Sequence, residues 1–188
     1  MPRKNEAEMR MYLDVEAFHE KFQLKPYDSF RDLPDDLVRF REKFLTEEAL
    51  ETYKATLSAN PPEVLDGLID LAYVALGTFY LAGGTLLGVA NYRKLQPYEF
   101  GTLQVMRMSK GVRLEKDANN LTFMLDIAFG CRSMAQEMGW FFDTGWDRGQ
   151  SANMSKVRAK REGDSKRGST WDVVKPKGWV APKMDDLV

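Results

Sequence analysis

Residues 63–78 read EVLDGLIDLAYVALGT, and this stretch decides the fold class of the chain. Its apolar residues recur at helical spacing and form one stripe: Leu65, Leu68, Ile69, Ala72 and Leu76. Three acids, Glu63, Asp66 and Asp70, fall within an arc of about 60° along the edge of that stripe. The pattern predicts a helix from about residue 62 to 82, which ends at Gly83-Gly84.

A second acidic helix is predicted just upstream, over residues 34–57, and it carries Glu47, Glu48 and Glu51. At helical pitch, Glu48 and Glu51 share a face with the apolar residues Leu37, Phe40 and Phe44, so this face is expected to lie inside. Carboxylates are rarely buried unless they are paired or bind a cation. Glu48 and Glu51, together with the three acids of the next helix, therefore suggest a site for hard divalent cations such as Mg²⁺.

The rest of the chain adds helices and little else. Further helical patterns cover residues 13–23, 85–95 and 117–138, whereas residues 97–116 are mixed. The tail, from about 157 to 188, is rich in basic residues, Gly and Pro and is expected to be irregular. We predict one all-α domain over residues 1–188, of the four-helix-bundle type.

Composition excludes several classes of protein. The net charge of −1 gives no general attraction to nucleic acid or anionic membranes. A lone cysteine cannot form an internal disulfide, and a lone histidine argues against a histidine-based zinc site or catalytic triad. No stretch is expected to span a membrane, and the N-terminus lacks the apolar middle of a signal peptide. These features predict a cytoplasmic protein.

Several segments, taken in order, resemble one family: FHEKFQL (18–24), REKFLTEEALE (41–51), the stretch 63–78, ANMSK (152–156) and VVKPKGWVAPKMDDL (173–187). Together they are similar to the all-α nucleoside triphosphate pyrophosphohydrolases, in the branch akin to phosphoribosyl-ATP pyrophosphohydrolase and the MazG-type enzymes. No single motif carries this resemblance, because glutamates abound on helices. Their order along the chain does.

Two features depart from the family pattern. The second metal motif of the family is usually ExxD; Asp70 fits its Asp, but Gly67 stands where the Glu is expected. Either Asp66 or Glu63 then takes that place. About fifty residues, from about 84 to 133, are inserted relative to similar proteins. We predict that they form a helical hairpin that deepens the base pocket or adds a subunit contact.

The resemblance implies roles for the acids. Glu48, Glu51, Asp66 and Asp70 would hold one or two Mg²⁺ ions, or Mn²⁺, with Glu63 as a substitute ligand. Glu47, at the rim, would orient or deprotonate the attacking water. The simpler alternative is a solvated helix face with local ion pairs.

Other residues are candidates for binding the substrate. The resemblance makes Asn153, Lys156 and Lys175 candidates for phosphate contacts, with the tail acting as a lid. The alternative is an ordinary helix end followed by a disordered basic tail.

Arg41 and Lys43 either contact the triphosphate or pair with neighbouring acids. Tyr73, beside the acidic arc, either stacks on a nucleobase or packs in the core.

The function implied is Mg²⁺-dependent hydrolysis of a (deoxy)nucleoside triphosphate to a monophosphate and pyrophosphate. Alternatives are a specialised dUTPase-like enzyme, a dGTP-directed enzyme of a modified-base pathway, or, least favoured of these, phosphoribosyl-ATP hydrolysis. A non-catalytic helical module that binds a partner or nucleic acid is the alternative from another class. By resemblance, a homodimer or homotetramer is expected, and neither a membrane nor nucleic acid is an expected partner.

Overall fold

A computed structural model describes residues 5–93, 101–117 and 119–188. Its helices, in chain order, are α1 (Glu6–Lys21), α2 (Asp35–Leu57), α3 (Pro61–Leu81), α4 (Leu86–Ala90), α5 (Thr102–Met108), α6 (Asn119–Glu137) and α7 (Phe142–Met154). Two strands of two residues each, β1 (Val157–Arg158) and β2 (Val173–Val174), pair antiparallel in the tail. The all-α prediction is confirmed.

Helix α3 is the centre of the bundle. It packs against α2 on one side and α6 on another, and α1 and α7 also contact it. Every residue from Leu71 to Leu81 is buried. By length and composition α3 is apolar enough to cross a membrane, contrary to the expectation from sequence, but 83% of its apolar window is buried inside the fold. Such burial is what a core helix requires.

Two glycines on these helices allow close approach. A methyl group on Gly67 of α3 would lie 2.5 Å from Oγ1 of Thr52 on α2, and one on Gly145 of α7 would lie 2.7 Å from Cδ1 of Ile69 on α3. Side chains at these positions would push the helices apart. The glycines thus bring α2 and α7 close to the acidic half of α3.

The predicted ends of α2 and α3 agree with the structure to within a residue or so. Pro34 precedes α2, and Asn60 precedes α3 without capping it through its side chain. Helix α1 begins seven residues earlier than predicted. There the Asn5 amide donates hydrogen bonds to the carbonyls of Val89, Ala90 and Tyr92.

The inserted segment does not form a hairpin in the residues that the structure describes. It contains α4, α5 and most of α6. Helix α4 packs on α1, α5 packs on α2, and α6 is a major partner of α3. The boundary predicted near residue 133 falls inside α6. The part of the predicted 85–95 helix beyond Arg93 lies outside the described residues.

Candidate active site

A cavity of about 330 Å³ lies where α1, α2, α3 and α7 meet the C-terminal tail. Eight of the residues predicted for the site from sequence are on its wall: Arg41, Glu48, Glu51, Asp70, Tyr73, Asn153, Lys156 and Lys175. Glu47, Lys43, Glu63 and Asp66 are not on this wall. The described residues of 84–133 do not contribute to it either.

The acids on α2 are in contact with cations of the tail. Glu48 is buried, and its Oε1 lies 3.1 Å from Nη2 of Arg167. Oε2 of Glu47 accepts a hydrogen bond from Nε of Arg167 at 2.7 Å, and Lys166 pairs with the other oxygen of Glu47. Glu51 lies 3.8 Å from Lys166. Its side chain is 58% exposed, so the prediction that this face lies inside is wrong for Glu51.

The side chain of Arg167 is buried in this cavity and contacts residues of both α2 and the tail. Its side chain is 8% exposed and lies 3.6 Å above the ring of Phe44 on α2. Nη1 of Arg167 lies 3.2 Å from the buried carboxylate of Asp172, which in turn accepts a hydrogen bond from the Ser165 hydroxyl at 2.6 Å. The guanidinium is therefore shared among three carboxylates.

The acids on α3 have no such partners. Within residues 5–93, 101–117 and 119–188, the side chains of Asp66 and Asp70 make no ion pair and no hydrogen bond. Burial, Asp70 and Glu63 raise the pKa of Asp66 to about 7. Burial also raises the pKa of Asp70, although Lys156 and Lys175 attract its charged form. These carboxylates crowd one another and lie near, not against, two lysines.

The same crowding reaches α2. Burial, followed by the charges of Asp70 and Glu51, raises the pKa of Glu48 to about 8, even though Arg167 acts in the opposite direction. At Glu47 burial also favours the neutral form, but contacts with Lys166 and Arg167 outweigh it and lower the pKa. Contacts with the tail thus favour the ionised form of Glu47, whereas burial and acidic neighbours favour the neutral form of Glu48.

Gly67 occupies the position at which the family pattern has a glutamate. Because its Cα faces Thr52 in the contact between α2 and α3, no side chain fits there. Glu63 is exposed, whereas Asp66 is half-buried and close enough to Asp70 to interact electrostatically. Of the two alternatives, Asp66 is thus the nearer to the acidic cluster.

Two residues predicted to contact phosphate, Lys156 and Lys175, come together at the ring of Trp179. The Nζ atoms of Lys175 and Lys156 lie 4.3 and 5.5 Å from the centre of its ring, and its indole N–H donates to the carbonyl of Ala152 on α7. Burial lowers the pKa of Lys156 against the pull of Asp70. Asn153 is buried on the same wall. The tail is docked here, contrary to the disordered alternative.

Arg41 and Lys43 contact the chain itself, and contact of either residue with the triphosphate stays a prediction. Arg41 is buried and donates to the Thr78 hydroxyl at 2.9 Å and the Val74 carbonyl at 2.5 Å, so it fastens α2 to α3. Lys43 is exposed and donates to the carbonyl of Arg167 at 3.4 Å. Neither makes an ion pair with an acid in the described part of the chain.

The remaining wall of the cavity is aromatic. The ring of Tyr73 packs 5.3 Å from those of both Phe18 and Trp146, and its hydroxyl donates to Gln150 at 2.6 Å. Burial and the nearby Arg41 lower the pKa of His19 to about 3, so this residue is neutral. This side of the cavity offers apolar surface next to the charged side.

The donor set fits a hard divalent cation in its chemistry, since it consists of carboxylate oxygens crowded into one cavity. In the arrangement shown, these carboxylates are not positioned to coordinate one ion. Among the described residues, no group of three or more potential ligands is placed to hold a metal ion. The cations that contact Glu47, Glu48 and Glu51 are Lys166 and Arg167.

Sequence reasoning missed Lys166, Arg167 and Asp172. The only signal for them is the basic composition of the tail, which indicates that cations are available but not which of them reaches the acids. Lys175 was implied through the resemblance, and the other two cations have no motif.

Comparison with protein families gives one match. Residues 15–90 match the family model described as phosphoribosyl-ATP pyrophosphohydrolase, and this range includes α2 and α3 completely. The match confirms the resemblance to the MazG-like all-α superfamily and indicates a nucleotide pyrophosphohydrolase, without indicating which nucleotide. Members of the family typically depend on a divalent metal. Searches of curated proteins and of solved structures found no match.

Proposed function

We propose that this chain, whose residues 15–90 are a phosphoribosyl-ATP pyrophosphohydrolase family domain, hydrolyses a (deoxy)nucleoside triphosphate between its α- and β-phosphates in the presence of Mg²⁺. One observation carries the proposal: acids from α2 and α3 line the same cavity as Lys156, which follows α7, and Lys175 of the tail. Carboxylates suit a cation, and lysines suit phosphates. A metal-bound polyphosphate in this cavity would contact both sets of side chains.

Glu48, Glu51 and Asp70 line the cavity and are the residues that would hold the metal, with Asp66 beside them. Mg²⁺, or Mn²⁺ in its place, would neutralise phosphate charge and ease deprotonation of the attacking water. The raised pKa values of Glu48 and Asp66 support this role, because crowded carboxylates are stabilised by a cation.

The substrate phosphates would lie against Lys156 and Lys175, with the amide of Asn153 as a fixed donor. The ammonium groups of Lys156 and Lys175 both lie near the ring of Trp179, and this contact would limit their motion before the substrate binds. Arg41 is assigned no phosphate contact, since its Nε and Nη2 already donate within the protein.

Glu47 is the proposed base. It would take a proton from the water that attacks the phosphorus, and pyrophosphate would leave as the P–O bond between the α- and β-phosphates breaks. A carboxylate paired with two cations is a weak base. Glu47 can therefore act only after Lys166 or Arg167 has moved away from it.

The aromatic wall, with Phe18 and Tyr73, is the side on which a nucleobase would lie. The basic tail directs Lys166 and Arg167 inward onto acids, which disfavours a role in nucleic-acid binding. A homodimer or homotetramer is also proposed, and light scattering of the purified protein tests it.

Incubating the purified protein with each NTP and dNTP, dUTP included, with and without Mg²⁺, tests the function. Chromatography should show a monophosphate and pyrophosphate from at least one nucleotide, and none from a Glu51→Ala, Asp70→Ala double variant. Release of inorganic phosphate alone would contradict cleavage between the α- and β-phosphates.

A further inference from the structure

The dipeptide Lys166-Arg167 contacts all three carboxylates of the acidic cluster on α2. Arg167 lies 2.7 Å from Glu47 and 3.1 Å from Glu48, and Lys166 pairs with Glu47 and lies 3.8 Å from Glu51. Two positive charges of the chain itself thus lie among the oxygens that the proposed metal would use.

The segment that carries the dipeptide is a loop closed by its own contacts. Strands β1 and β2 pair at its base, with Val157 opposite Val174. Inside the loop, the Ser165 hydroxyl accepts a hydrogen bond from the amide of Arg167 at 3.0 Å and donates one to Asp172 at 2.6 Å. Asp172 also pairs with the Arg167 guanidinium. The loop therefore has internal contacts in addition to those that it makes with α2, such as the bond from the Trp171 indole to Asp36.

We infer that Lys166-Arg167 is a built-in counter-ion that a divalent cation must displace from Glu48 and Glu51, so that the loop 159–172 holds the site closed until metal binds. The inference rests on the proposed function, because it takes these acids as metal ligands. Charge balance supports displacement: two cations leave when one doubly charged ion arrives.

The contacts of the dipeptide favour such an exchange. When Arg167 leaves Glu47 and Glu48, it keeps Asp172, which moves with it in the same loop, so its charge is never left without a partner. Lys166 is 62% exposed and loses little on release. Release also frees Glu47, the proposed base.

Calorimetric titration with Mg²⁺ at pH 8.5, on the full chain without nucleotide, tests the inference. Arg167→Ala should bind Mg²⁺ about tenfold more tightly than the natural chain, and Lys166→Ala about twofold more tightly, because a competing cation is gone. Lys160→Ala is the matched control: it removes a positive charge from an exposed position of the same loop and should change nothing.

Limited trypsin digestion gives a second measurement that needs no variant. Mg²⁺ should accelerate cleavage after Lys166 and Arg167, whereas cleavage after the exposed Lys160 should keep its rate. This readout also decides the case in which Arg167→Ala fails to fold.

The outcomes separate this inference from the proposed function. If the natural chain and both variants bind Mg²⁺ equally, or Arg167→Ala binds more weakly, Arg167 is a permanent part of the site and the inference is wrong. If none of them binds Mg²⁺ or Mn²⁺, the metal site itself fails, and the inference with it.

Discussion

The two halves of the acidic site differ in what balances their charge. On α2, Glu47 and Glu48 are in ion pairs with the tail, and Glu51 lies near Lys166. On α3, Asp66 and Asp70 have no ion pair among the residues that the structure describes, and each has a raised pKa. The chain itself supplies cations to the α2 half, although burial and acidic neighbours still raise the pKa of Glu48, whereas Asp66 and Asp70 have no cation in contact among the described residues.

Because of this difference, the carboxylates of the site do not all contribute to stability in the same way. Glu47 anchors the tail through Lys166 and Arg167, and these contacts lower its pKa, so it stabilises the fold even without a ligand. The α3 carboxylates are buried close together in the free protein, and Lys156 and Lys175 offset this cost only in part. Such a cost persists where function needs it. Substitution of Glu47 should therefore lower stability and substitution of Asp70 should raise it, while both abolish activity.

The largest expected effect is on turnover. Asp70→Asn and Glu48→Gln should each lower kcat/KM on the order of a thousandfold, because each removes charge from the proposed metal site. Glu137→Gln, an exposed acid at the end of α6, is the control and should keep full activity. Near-normal turnover in Asp70→Asn would remove the α3 half from the site.

The two candidate ligands on α3, Asp66 and Glu63, should differ in how much they contribute to Mg²⁺ binding. Asp66→Asn should weaken Mg²⁺ binding by about tenfold or more, and Glu63→Gln by less than about threefold, because only Asp66 is half-buried beside Asp70. Calorimetry measures both. A larger effect of Glu63→Gln would reverse the assignment.

The pH dependence of stability tests the cost of the buried, crowded carboxylates Asp66 on α3 and Glu48 on α2. A carboxyl whose pKa is raised in the folded state makes stability fall as pH rises from its unfolded pKa, about 4, through its folded pKa. For Asp66 and Glu48 that fall extends through pH 7 and 8. The neutral His19 acts oppositely, but only below about pH 6.5.

In EDTA, the melting temperature should therefore drop by about 5 °C between pH 6.5 and 8.5, and Mg²⁺ should restore it. Asp70→Asn should melt higher than the natural chain in EDTA at pH 8.5 and lose the response to Mg²⁺. Scanning calorimetry follows both changes, and a melting temperature that rises with pH in EDTA would contradict the account.

The smallest expected effect concerns Gly67. Gly67→Ala should lower the free energy of unfolding by about 1–3 kcal/mol, since the added methyl group meets Thr52 at 2.5 Å. Denaturant titration measures it. Gly163→Ala is the control, because a methyl group there meets nothing within 4 Å. Equal stability of the two variants would show that the position is not closed to side chains.

Much of the fold could be predicted from sequence because the signals for α2 and α3 are local. Pro34 and Asn60-Pro61 mark where the helices begin, and Gly83-Gly84 marks an end. The periodicity gives no prediction of α7, which carries Gly145 and Gly149 at positions that only tertiary packing on α3 explains. The true start of α1 depends on contacts of Asn5 with residues 89–92.

The site divides in the same way. The spacing of acids on α2 and α3 indicates a shared face from sequence alone, whereas the burial of Glu48 and the exposure of Glu51 depend on what packs above them. Asn153 and Lys156 became candidates only through the resemblance. Arg167 could not be predicted, because its place among Glu47, Glu48 and Asp172 is set by docking of a loop more than a hundred residues away.

The most direct test of the central claim is ³¹P NMR of the reaction, using the nucleotide on which the enzyme is most active. With Mg²⁺, we expect monophosphate and pyrophosphate to appear in equal amounts, with no reaction in EDTA or with Asp70→Asn. Formation of a diphosphate and inorganic phosphate, or an unchanged rate in EDTA, would contradict the account.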